Sequence, residues 1–337
     1  MSDAVRAAVI GAGAWGTALA ALLAKRGHQV ALWSYEPAVA RAIEETGVNP
    51  YLEGVVLPRT LRVTTDLAAA TSGAELIVSV SPSQFVRGVM AEAAPHVRPD
   101  ALLVSASKGI ELDTLLRMDE VLDEMLPQSV MERFCVLSGP SFAAEVARES
   151  PTAVVVAGRE DAAARRAQEL FQTGYFRVYT NPDVIGVELA GAVKNVIALA
   201  AGATAGLGYG HNTLAALITR GLAEIARLGL ALGAQRATFS GLAGMGDLVL
   251  TCTGSLSRNR TVGYRLGRGE RLEDVLGEMH AVAEGVKTSD AVPELAARHG
   301  VEMPIAEQVR AIVHEGRAPA DAVRQLMLRD PKPEEWS

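Results

Sequence analysis

The chain has 337 residues, 49% of them hydrophobic and 21% charged, and a formal net charge of −7. That length allows two domains and a large core, while an acidic balance with no basic cluster excludes a general nucleic-acid surface and leaves an anionic ligand needing a local basic pocket. Two cysteines, Cys135 and Cys252, without CxxC or metal-ligand spacing, exclude a disulfide framework and favour a reducing compartment, the cytoplasm.

The opening residues Met1 to Arg6 show no charged region followed by a long apolar stretch, so no signal peptide is expected. Ala7 to Ile10 then reads as a short apolar strand entering Gly11-Ala12-Gly13-Ala14-Trp15-Gly16, and Thr17 to Arg26 as a helix of strong helix formers ending near Gly27. His28 to Trp33 reads as a second strand, with Glu36 placed 20 residues beyond Gly16. Strand, glycine turn, helix and spaced acid form a dinucleotide fingerprint. Gly11 permits the tight turn, Gly13 lets the backbone approach a pyrophosphate, and Gly16 allows the helix to pack closely on the sheet. The first helical N–H groups and the helix dipole then face the phosphate charge. Trp15 either covers that site or packs.

Glu36 suits a ribose 2′-hydroxyl and repels a 2′-phosphate, which favours NAD. Two features pull the other way. Arg41 lies about one helical turn onward, within reach of a phosphate, and an acid before Pro37 is also what a helix start favours.

Further apolar runs at Leu76–Val80, Leu102–Ala106, Phe134–Leu137 and Ala153–Ala157 alternate with helical stretches, predicting more strands of a parallel, doubly wound α/β sheet. The loops Ser81-Pro82-Ser83-Gln84, Ser107-Lys108-Gly109 and Ser138-Gly139-Pro140-Ser141 follow such strands, where functional loops of this architecture converge. From Asn181 onward strand signals nearly vanish, and helices are predicted around 187–208, 212–232, 259–267, 271–279, 288–299 and 304–314. The division expected is a sheet domain over 1–182, a helical domain over 183–329 and a polar tail over 330–337. The most membrane-like run, Leu189 to Leu207, carries Lys194 and Asn195 and reads better as a buried helix than as a span.

Only five of the 32 basic residues are lysines, and Lys108 and Lys194 lie in small, apolar, glycine-containing runs. Arginine cannot release its proton at working pH and lysine can, so a chain rich in arginine that retains lysine at these places points to proton transfer. Snorkelling of both side chains is the ordinary alternative. Lys332 sits in the polar tail. Three glycines surround Asp247 in Gly241–Thr253, and Ser257-Arg258-Asn259-Arg260 follows. There Arg258, with the backbone amides at a helix start, suits a phosphate, although Ser257 also serves as a plain N-cap and Asp247 as a turn residue.

Seven ordered blocks together resemble the bacterial type of NAD(P)-dependent sn-glycerol-3-phosphate dehydrogenase: GAGAWGTALA from Gly11, SASKGIE from Ser105, LSGPSFAAEV from Leu137, GAVKNVIALAAG from Gly191, GLAGMGDLVLTCTG from Gly241, SRNRTVG from Ser257 and AEGVKTS from Ala283. The resemblance covers nearly the whole chain. It implies a Rossmann-like domain followed by an all-α C-terminal domain of the 6-phosphogluconate dehydrogenase-like kind, with dihydroxyacetone phosphate meeting the nicotinamide of NAD or NADP in a cleft between them. It implies Lys194 as the proton-transfer residue, with Lys108 and Asp247 assisting. Lys108, Gly139, Ser141, Asp247, Thr251, Ser257, Arg258 and Asn259 become expected substrate contacts, and Ala14, Trp15, Lys108, Ala143, Arg258, Val282 and Glu284 expected cofactor contacts. A cytoplasmic homodimer serving glycerophospholipid synthesis, with no metal, nucleic acid or membrane insertion, is the matching expectation. The chain departs from the family's usual pattern at Tyr35-Glu36, where a basic or imidazole side chain is frequent, which weighs against NADP, and at Ala14, where serine is frequent. A related two-domain keto-acid or β-hydroxyacid dehydrogenase and a non-catalytic dinucleotide sensor are the competing readings.

Overall fold

The structure is a computed structural model and describes residues 4–279, 282–331 and 333–334. Lys332 and the part of the expected tail beyond Glu334 therefore lie outside the described residues. The chain divides into two compact units, one running to Lys108 and including Leu116–Val187, the other made of Gly109–Leu115 and the chain from Glu188 onward.

The first unit is built on one eight-stranded sheet of β1 (Arg6–Ile10), β2 (Gln29–Trp33), β3 (Arg62–Thr64), β4 (Leu76–Ser79), β5 (Leu102–Ser105), β6 (Phe134–Ser138), β7 (Thr152–Gly158) and β8 (Phe176–Asn181), in the order β3-β2-β1-β4-β5-β6-β7-β8. Strands β4, β5 and β6 are buried along their whole length, as expected when helices cover both faces of a parallel sheet. Strand order reverses between β1 and β4, and such a switch point opens a crevice at the carboxyl ends of the strands. The glycine turn follows β1 there.

The 153–157 run was expected to continue the parallel sheet, but β7 runs antiparallel to β6. The connection explains the reversal. Its helix, Ala143–Ala147, has five residues and spans only about 7.5 Å at 1.5 Å per residue, too short to carry the chain back along a strand of about 16 Å. The chain instead turns at the same edge, and β8 then pairs parallel with β7 after the 11-residue crossover helix Asp161–Phe171. Strands β3 and β8 give weak strand signals, because β3 has only three residues and in β8 only Phe176 and Val178 are buried, between exposed Arg177 and Tyr179.

The second unit is helical. The apolar Val184–Gly206 helix is its centre, and 94% of its most apolar 18-residue stretch is buried inside the protein, so it is a core helix. Against it lies the Arg258–Gly267 helix, in backbone-to-backbone contact. A Cβ at Gly202 would stand 2.0 Å from the Arg260 carbonyl oxygen, and one at Gly263 would stand 2.0 Å from that of Leu199. Only glycine allows that approach. The short Asp247–Thr253 helix and the Pro319–Met327 helix were not in the sequence reading.

Glu224, on the His211–Ala231 helix, is 2% exposed and accepts hydrogen bonds from the backbone N–H groups of Ile305 (2.8 Å) and Ala306 (3.3 Å) at the start of the Pro304–His314 helix. Desolvation outweighs these bonds and the nearby Arg227 charge, and with Glu307 adding repulsion the carboxyl is raised from 4.5 to about 7. A raised folded value means that the stability contribution is full below pH 4.5 and is lost as pH rises through about 7. At 1.36 kcal/mol per unit this amounts to about 3 kcal/mol. Glu224→Gln removes that dependence: in urea titrations the stability gap between wild type and variant should fall by about 3 kcal/mol from pH 4.5 to pH 8. A gap that does not change with pH contradicts this.

Candidate active site

In the first unit the glycine turn has the shape a dinucleotide needs. Gly11 has φ of +129°, and a Cβ there would lie 2.9 Å from the Val80 carbonyl oxygen. One at Gly16 would lie 1.9 Å from the Gly11 carbonyl oxygen, yet one at Gly13 would meet nothing within 4 Å. The turn is thus closed on the protein side and open at the N-terminus of the 12-residue Ala14–Lys25 helix, where backbone N–H groups and the helix dipole attract a pyrophosphate. Ala14 and Trp15 are half-buried and pack against the sheet core.

Glu36 precedes the Pro37–Thr46 helix but makes no side-chain cap there. Its carboxylate instead accepts a hydrogen bond of 2.8 Å from the Tyr51 hydroxyl. Its charge still lies at the helix start, where the dipole favours an acid, but its side chain is directed to Tyr51 and not to the helix N–H groups. Tyr35 is 81% exposed beside the Trp33 ring, and Arg41 is exposed on the same helix as Pro37.

The ends of β1, β4 and β5 are tied together by hydroxyls. Ser81 Oγ donates to the Ile10 carbonyl (3.2 Å) and Ser107 Oγ to the Ser81 carbonyl (2.6 Å). Lys108 follows Ser107 directly and is half-buried. Ser141 Oγ donates back to the Gly139 carbonyl (2.9 Å), and the half-buried Ala143 opens the short helix that follows β6.

In the helical unit Lys194 sits on the central helix with 8% of its side chain exposed. Its Nζ donates to Asp247 Oδ1 at 2.6 Å and to Thr251 Oγ1 at 2.8 Å. Asp247 is 1% exposed, and the Thr251 hydroxyl also donates to the Asp247 carbonyl (2.6 Å). Snorkelling is ruled out for Lys194, because the ammonium ends in a buried cradle rather than in water. The glycine-rich segment builds that cradle. Leu242–Gly246 forms a π-helical turn, closed by the Gly246 N–H on the Gly241 carbonyl (3.1 Å), and Asp247 starts the next helix. Cys252 on that helix is pushed up to about 12 by burial, as is Cys135 in β6, so neither thiol is a nucleophile near neutral pH.

Ser257 is the N-cap of the Arg258–Gly267 helix, its Oγ accepting from the Arg260 N–H (3.2 Å). Asn259 is buried in a bracket, with Nδ2 donating to Asn195 Oδ1 and Oδ1 accepting from the Gly285 N–H, both at 2.9 Å. Arg258, the first residue of that helix, keeps a solvent-accessible face. Protein atoms crowd it enough to lower its pKa by desolvation, against the raising charge of Glu284, and an arginine so placed stays charged. Val282 is exposed and Glu284 begins the Glu284–Arg298 helix.

Sequence reasoning missed Asn49, Tyr51 and the bracket made by Asn195. Asn49 is fully buried and donates to the Ala12 carbonyl (2.8 Å) and the Thr17 hydroxyl (2.7 Å), holding the glycine turn from behind. No local pattern announces such a residue.

An open phosphate turn on a doubly wound sheet, with a buried lysine held by a carboxylate on the helices, makes this a nicotinamide-dependent dehydrogenase. Profiles of the NAD-dependent glycerol-3-phosphate dehydrogenase N-terminus and C-terminus match residues 6–164 and 183–324, and the chain belongs to that family. It is 59% identical over 332 residues to a glycerol-3-phosphate dehydrogenase [NAD(P)+] of Geobacter sulfurreducens, covering 98% of this chain and 99% of the relative. The crystal structure of glycerol-3-phosphate dehydrogenase from Coxiella burnetii superposes with a TM-score of 0.93 at 40% identity, over 97% of this chain and 99% of that one. A ketopantoate reductase from Ralstonia eutropha, at 18% identity and a TM-score of 0.61 over 94% of this chain and 99% of that one, shares the fold alone.

Proposed function

We propose that this chain reversibly reduces dihydroxyacetone phosphate to sn-glycerol 3-phosphate, consuming NAD(P)H and a proton, as a cytoplasmic homodimer supplying glycerophospholipid synthesis. The observation that carries the reading is the Lys194–Asp247–Thr251 cradle. When bound, the nicotinamide supplies the hydride that adds to the ketone carbon. Lys194 releases a proton from Nζ to the carbonyl oxygen, and in the reverse direction the neutral amine takes the hydroxyl proton back. Asp247 and Thr251 fix the direction of the ammonium, and a positioned proton donor of this kind is typically worth about 10²- to 10⁴-fold in rate. Gly11, Gly13, Ala14 and Gly16 hold the dinucleotide, and Glu36 faces its ribose. Arg258 takes the substrate phosphate, and Lys108, Gly139 and Ser141 are substrate contacts in the same proposal. Asn259 serves through its backbone N–H at the helix start, since its side chain is engaged with Asn195 and Gly285.

A dinucleotide sensor has no use for a lysine–aspartate pair taken out of water, which carries a desolvation cost. Against a keto-acid substrate stands the 59% identity to a glycerol-3-phosphate dehydrogenase [NAD(P)+], and Arg258 at a helix N-terminus is placed to hold the phosphate of such a substrate. Arg258→Ala therefore raises KM for dihydroxyacetone phosphate about 10- to 100-fold, the value of a charge-assisted hydrogen bond, and leaves the affinity for the dinucleotide unchanged to within a few-fold. An unchanged KM for the phosphorylated ketone removes Arg258 from the phosphate site.

A further inference from the structure

Tyr51 and Asn49 stand outside every motif that marks the dinucleotide site, yet they join its two halves. The Asn49 amide donates to the Ala12 carbonyl and the Thr17 hydroxyl on the two sides of the glycine turn. Its Oδ1 accepts from the Tyr51 N–H (2.8 Å), capping the single helical turn Pro50–Leu52, which Leu52 anchors in the core. From that turn the Tyr51 hydroxyl reaches Glu36 Oε1 at 2.8 Å. Three consecutive residues thus run as a strut from the pyrophosphate turn to the acid after β2.

The strut has a direction. The phenol engages one carboxylate oxygen, and Glu36 Oε2 makes no hydrogen bond among the described residues, which leaves it for a ribose hydroxyl. The hydrogen bond to Glu36 is the largest reason that the Tyr51 phenol lies above its usual value of 10, so it stays a proton donor to a carboxylate across neutral pH. A carboxylate fixed in this way accepts hydrogen bonds from a 2′-hydroxyl and meets a 2′-phosphate with like charge. Among the described residues Glu36 makes no side-chain cap on its helix and no ion pair, so the Tyr51 hydroxyl is what fixes its carboxylate.

We propose that Tyr51 is a specificity-determining positioning residue, which holds Glu36 so that this chain selects the dinucleotide with a free ribose 2′-hydroxyl over its 2′-phosphorylated counterpart. The proposal rests on the glycine turn being the dinucleotide site. It is tested by calorimetric titration of the full chain with ADP-ribose and with 2′-phospho-ADP-ribose, a readout that needs neither substrate nor turnover. Wild type should bind ADP-ribose at least about tenfold more tightly. Tyr51→Phe should cut that ratio about fivefold, mainly by weakening ADP-ribose, as expected for one hydrogen bond. Glu36→Gln should bring the ratio near one. Equal or tighter binding of the 2′-phosphate by wild type, as when Arg41 recruits it, overturns the proposal. So does a Tyr51→Phe variant that weakens both ligands alike or neither. Failure of both ligands to bind wild type overturns the dinucleotide site itself, a result distinct from binding without discrimination.

Discussion

Replacing Lys194 with arginine should lower turnover by about 10²- to 10⁴-fold, the usual value of a positioned proton donor, while the dissociation constant for the dinucleotide stays close to that of wild type. Arginine keeps the positive charge and the attraction to Asp247, but its guanidinium does not release a proton at working pH. The substitution therefore separates charge from proton transfer. It also introduces a larger side chain into a cradle with donor–acceptor distances of 2.6 and 2.8 Å, so a second variant guards against a purely steric loss. Lys194→Ala should be equally slow and should recover part of its rate when small primary amines are added, because an amine diffusing into the vacated space restores the proton and not the fold. Near-normal turnover in the arginine variant, or no rescue of the alanine variant by any amine, contradicts the assignment.

Asp247→Ala carries the largest expected loss of stability. The Lys194 ammonium and the Asp247 carboxylate are both buried and lie 2.6 Å apart. Removing one partner of a buried pair takes from the other its close opposite charge, at a cost of about 3–5 kcal/mol. Thr251 keeps one hydrogen bond to the lysine but supplies no charge. The double replacement Lys194→Met with Asp247→Leu should be far less destabilised than Asp247→Ala alone, because neither position of the pair then carries a charge. Chemical denaturation of the three proteins checks this, and an unfolding free energy of Asp247→Ala equal to that of wild type contradicts it.

What could be read from the residues divides along physical lines. The glycine turn was legible because its glycines answer to local demands: Gly11 and Gly16 sit where a Cβ would strike backbone, and Gly13 leaves the turn open. The buried strands β4, β5 and β6 were legible because apolar runs have no other stable place. Lys194 was legible because a charge in such a run needs a reason. The direction of β7 was not legible, since it depends on the length of a connecting helix and not on the strand's own residues. The Gly202–Gly263 crossing was hidden too, because close approach of two helices belongs to both and shows in neither. Asn49 and Tyr51 were invisible for the same reason: each acts on residues 15 to 37 positions away, and an asparagine before a proline reads as an ordinary turn. The partner of the Glu36 carboxylate, Tyr51, likewise shows only in the folded chain.

The most direct test is initial-rate oxidation of NADH and NADPH by the purified chain with dihydroxyacetone phosphate, beside unphosphorylated dihydroxyacetone and a panel of small 2-keto acids. Rapid turnover with the phosphorylated ketone alone, faster with NADH at limiting cofactor, is the predicted result. Turnover of a 2-keto acid, or none with dihydroxyacetone phosphate from a protein that binds the dinucleotide, contradicts it.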